Sequence, residues 1–91
     1  MSYKFKVVGL LDGWKKGDPP GAQQVNIVLD KIFTTPKGDI AITPLLATEQ
    51  EVDYEVDQLI KGLESIRRKA KSNIKRTNER IYREVSSRSQ A

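Results

Sequence analysis

The side chains here that could do chemistry are Lys, Arg, Asp, Glu, Ser, Thr and Tyr, because the chain has no His and no Cys. No imidazole base, Ser-His pair or Cys-His pair can be built. Zinc of the His or Cys kind has no ligands either. A metal site would have to be all oxygen. Asp12 and Asp18 share a loop but lack EF-hand spacing. Glu49, Glu51, Asp53, Glu55 and Asp57 stand two apart, a spacing that spreads carboxylates around a helix instead of converging them. The loop Gly13 to Gly21 lacks the Gly-x4-Gly-Lys-Ser/Thr order of a phosphate cradle. The expectation is therefore no catalytic residue, no cofactor and no metal, in a protein that is not an enzyme.

Chemistry of contact is better supplied. The formal charge is +4, unevenly spread. Residues 1–48 carry six Lys against four Asp, a net +2; residues 49–66 carry six acids and Lys61, a net −5. Residues 67–91 carry nine basic residues against two acids, a net +7. Arg67, Arg68, Lys71, Lys75, Arg76 and Arg80 form a candidate surface for nucleic-acid phosphates or an acidic protein. They do not fall on one helix face, so the signal is not one of base reading. Trp14 stands beside Lys15 and Lys16 in a polar loop. It either folds back to plug the end of a sheet or anchors a partner.

The elements that must position these residues read as β-β-β-α. Tyr3 to Leu11 alternates apolar and basic, with Tyr3, Phe5 and Val7 on the inner side. Gln24 to Phe33 repeats the alternation with Val25, Ile27 and Leu29. Thr34 to Asp39 is a turn around Pro36 and Gly38. Asp39 to Leu46 is a third strand, ended or confined to an edge by Pro44. The fold class expected is α+β: a three-stranded antiparallel β-meander followed by one long C-terminal α-helix. Its core is expected at Phe5, Val7, Val25, Ile27, Leu29, Ile40, Ile42, Val56, Leu59 and Leu63, with Trp14 as a further member. The chain forms a single domain, 1–91, with the sheet in 1–47, the helix in 48–85 and a fraying tail in 86–91.

Thr48-Glu49-Gln50-Glu51 is a capping box that opens the helix. No Pro lies beyond it, and the one Gly beyond it is Gly62. The apolar stripe runs Val52, Val56, Leu59, Leu63, Ile66, Ala70, Ile74, Thr77, Ile81, Val85. A helix to Val85 is roughly 55 Å long, and strands of about eight residues span roughly 27 Å. The expectation is that the first half packs on the sheet and the second half overhangs it. Ile66, Ala70, Ile74, Thr77, Ile81 and Val85 then become the interface of a homo-oligomer. Opposite charge in the two halves favours antiparallel pairing. No run of about 18 apolar residues exists for a membrane span. The first residues lack the apolar stretch of a signal peptide, and the cytoplasm is the expected location.

Overall fold

The structure is a computed structural model that describes residues 5–89, with side chains through Ser86. Tyr3 and Lys4 of the expected first strand, and Gln90 and Ala91 of the expected tail, lie outside the described residues. The element order is β1 (Phe5–Gly9), β2 (Val25–Leu29), β3 (Phe33–Thr34), β4 (Ile40–Ala41) and α1 (Glu49–Ser89).

The helix forms where the cap places it. Thr48 Oγ1 accepts from the Glu51 amide at 3.1 Å, and the Val52 amide donates to the Thr48 carbonyl at 3.1 Å. Glu51 reaches back one residue further than a standard capping box, accepting from the Ala47 amide at 3.0 Å. From there α1 runs 41 residues, past Gly62, to Ser89. At 1.5 Å per residue that is about 60 Å, matching the longest dimension of the molecule, 65 Å.

The sheet is not one meander. β1 and β2 pair antiparallel with Phe5 opposite Leu29 and Gly9 opposite Val25. β3 and β4 pair only with each other, giving two separate two-stranded sheets. The reason is local satisfaction of polar groups. The Thr35 amide donates to the Asp39 carbonyl at 2.8 Å, and the Gly38 amide donates to the Thr35 carbonyl at 2.9 Å. Thr35 Oγ1 accepts from the Asp39 amide at 3.0 Å. Gly38 takes φ 92°, a left-handed conformation that closes the turn without a Cβ penalty. With its groups used in this tight hairpin and Pro44 unable to donate, the 39–46 segment does not extend the edge of β2.

The packing also reverses the expected halves of the helix. The buried apolar side chains are Trp14, Leu59, Ile66, Ala70 and Ile81, with Ile66 and Ile81 each 4% exposed. Both β1 and β2 lie against α1, and the loop between them reaches residues 73–84 of the helix. The covered stretch of α1 thus runs from Leu59 to residue 84, and the bare end is the one that follows Thr48. Val56 and Leu63, expected in the core, are 43% and 47% exposed. Ile27, Ile40 and Ile42 are exposed as well, while Phe5, Val7, Val25 and Leu29 are half-buried.

So small a core leaves an open molecule. The accessible surface is 7247 Å², against roughly 5,400 Å² for a compact monomer of this mass. The radius of gyration is 18.8 Å, against roughly 12 Å for a compact chain of this length.

Candidate interaction surface

Docking of the hairpin on α1 is arranged by amides. The fifteen residues between β1 and β2 fold as successive turns: the Asp12 amide donates to Gly9 O, Trp14 to Leu11 O and Asp18 to Lys15 O. These turns bring Asp12 and the buried Gln23 together. Gln23 Nε2 donates to Asp12 Oδ1 at 2.9 Å and to Asn73 Oδ1 at 2.7 Å. Its Oε1 accepts from the Leu11 amide at 2.7 Å. The Gln23 amide donates to Asn78 Oδ1 at 2.9 Å, and Asn73 Nδ2 donates to Asp12 Oδ1 at 3.2 Å. A buried amide with every polar atom partnered fixes one position of the loop on the helix. The Asp12 carboxyl is held below its ordinary range, first by the Gly9 amide hydrogen bond and then by the Asn73 amide, with smaller help from Gln23 and Arg80.

Trp14 is a packing residue here. It is buried, its Nε1 donates to the Pro19 carbonyl at 3.0 Å, and the Arg80 guanidinium lies 5.8 Å from its ring centroid. It plugs the loop onto the helix and presents no exposed ring to a partner. Lys16 pairs with Glu84 at 3.8 Å, and the Lys15 amide donates to Asp18 Oδ2. Among the described residues, Arg67, Arg68, Lys71, Lys75 and Arg76 are exposed and make no ion pair.

The expected oligomer seam divides in two. Ile66, Ala70 and Ile81 are covered by the chain itself, and Ile74 and Thr77 are half-buried. Val85 stays accessible. At the other end Val52, Val56 and Leu63 of the stripe, with Ile60 next to them, are each 43% to 49% exposed, while Leu59 between them is buried. Leu45, 85% exposed, lines a separate hollow at the helix start with Gln50, Glu51, Tyr54 and Glu55. Sequence periodicity missed this because the stripe is continuous along α1. Gln23, Asn73 and Asn78 were also missed as docking residues. Asn73 and Asn78 flank Ile74 and Thr77, and amides bordering a stripe are a signal for a polar contact along its margin.

Among the described residues no group of carboxylates gathers in a way that could hold a metal ion. No helix of the described residues is long and apolar enough to cross a membrane. What the surface offers is an apolar strip rimmed by acids at one end of a rod and a run of exposed cations, Arg67 to Arg76, along its middle. Comparison of the chain with protein-family models, curated proteins and solved structures found no match.

Proposed function

We propose that this is a non-catalytic assembly protein that associates with copies of itself through the part of α1 its own hairpins leave bare, and that presents its basic helix half to a macromolecular partner. The observation that carries the reading is the half-exposed strip Val52, Val56, Ile60 and Leu63. Burying it on another chain would remove apolar surface from water, the largest favourable term in association. The excess of accessible area over a compact monomer, roughly 1,900 Å², exceeds the roughly 800 Å² per partner of an ordinary stable interface. With five buried apolar residues among those described, the chain also has little core to stand on alone. The lack of Cys fits a reducing compartment, and the cytoplasm is the proposed setting.

Sedimentation velocity tests the reading. The protein is expected to sediment above its monomer mass of 10.3 kDa at concentrations near ~50 µM, where a Kd of that order leaves mixed species. The double variant Val56→Glu, Leu63→Glu is expected to be monomeric with its helical circular dichroism retained. A wild-type monomer with full helicity overturns the reading.

A second reading rests on the unpaired cations Arg67, Arg68, Lys71, Lys75 and Arg76. They supply phosphate contacts without first breaking an internal pair. That reading expects nucleic-acid binding that weakens steeply between 50 and 200 mM salt. It fails if neutralising Arg68, Lys71 and Lys75 leaves binding unchanged.

A further inference from the structure

Two apolar features lie on one flank of α1. At 3.6 residues per turn, Val56 and Ile74 share an azimuth. Ile60 and Leu63 fall just to either side of it, as do Asn78, Val85 and Ile81. The first feature is the bare strip Val52 to Leu63. The second is a groove of about 460 Å³ near the other end of the helix, bounded by Pro20 and Ala22 of the loop and by Ile81, Tyr82 and Val85. Tyr82 is 73% exposed and forms its outer wall. Strip and groove carry opposite surroundings. The segment 49–66 that bears the strip is net −5, while the segment 67–91 that bears the groove is net +7.

We infer that the groove receives the bare strip of a second copy, and reciprocally, in an antiparallel pair with Val56 of one copy opposite Tyr82 of the other. The inference rests on the self-association proposed above and adds its geometry. In this register Ile60 comes opposite Asn78, and Val52 comes opposite Ser86, one residue past Val85. The acidic residues 49–57 fall against the stretch that begins at Ile81 and bears Arg83, twice in the pair. Arg67 and Lys71 meet their like near the two-fold axis, and Glu64 of each copy stands beside them to offset that repulsion. The arrangement is isologous, so it closes at two copies. Both hairpins stay where they are, because Ile66, Ala70 and Trp14 take no part in the contact.

A cysteine-free chain makes the test clean. Val56→Cys and Tyr82→Cys both alter exposed positions, and circular dichroism checks that each variant keeps its helix. Within one chain the two sites are about 39 Å apart along the helix, far beyond the roughly 7 Å Cα separation that a disulfide spans. Under mild oxidation, a mixture of the two single variants is expected to give a covalent heterodimer. Neither single variant is expected to dimerise alone, and the double variant is expected to stop at two chains. Dimerisation of Val56→Cys alone indicates parallel pairing and overturns the register while self-association stands. A ladder from the double variant indicates head-to-tail growth and does the same. No cross-link in a protein whose solution mass exceeds one chain places the contact elsewhere and also overturns the register. No cross-link and a monomeric mass overturn both readings.

Discussion

Gln23→Ala removes three side-chain hydrogen bonds at the junction of hairpin and helix while leaving the backbone bond from the Gln23 amide to Asn78 in place. The Leu11 amide loses its acceptor in a part-buried site, and an unsatisfied donor of this kind costs about 1–3 kcal/mol. Asp12 keeps the Gly9 amide and Asn73 Nδ2, and its exposed carboxylate takes water in place of the lost donor. Asn73 Oδ1 can turn to water and adds little. The expected loss is about 1–3 kcal/mol, a large share of what a chain of this size has. Urea unfolding at fixed protein concentration measures it, and a double-mutant cycle with Asn73→Ala isolates the cross-element part. The coupling should be about 0.5 kcal/mol or more, as for residues in one hydrogen-bond network. A loss under about 0.5 kcal/mol with no coupling would mean that amides do not hold the hairpin on α1, and the placement of the hairpin on the second half of the helix would fall with them.

The same geometry sets three further outcomes. Asp12 has its folded pKa lowered, so the stability it contributes is present above the unfolded value of about 3.9 and is lost as pH falls through the folded value; the urea midpoint should fall below about pH 4 in the wild type, more steeply than in Asp12→Asn. Gly9→Ala would place its Cβ inside van der Waals contact with Gln23 Nε2 and Asp12 Oδ1, and should lower stability by about 1–3 kcal/mol in the same unfolding assay. Thr48→Ala removes the cap on the Glu51 amide, costs about 1 kcal/mol, and should speed amide exchange in the first turn of α1 without disturbing residues 73–84.

The helix and its start were legible in the sequence because they rest on local rules. Thr48 and Glu51 are three residues apart, no Pro interrupts the chain beyond them, and the stripe keeps its period throughout. The pairing of β1 with β2 was legible from alternation in Phe5–Gly9 and Val25–Leu29. Which half of the helix the hairpin would choose was not legible. Val56 and Ile66 look alike in a periodic pattern, and burial was decided by Gln23 finding Asn73 and Asn78 some fifty residues away. The split into two sheets was hidden for a related reason. Thr35 and Asp39 close their own turn, and that bond competes with strand extension without leaving a mark on hydrophobic period. Trp14 carried two opposed readings, because its neighbours Lys15 and Lys16 suggest exposure while its indole is buried with Pro19 and Arg80 as partners.

The dependence of Gln23 on Asn73 and Asn78 has a consequence for biosynthesis. Some fifty residues separate the glutamine from its first asparagine, and a ribosome adding 5–20 residues per second takes about 3–10 s to cover that interval. During that time the early strands can pair with each other but have no helix to lie upon. The nascent chain therefore carries Phe5, Val7 and Trp14 uncovered until Asn73 and Asn78 are translated, a window in which chaperone capture competes with correct docking.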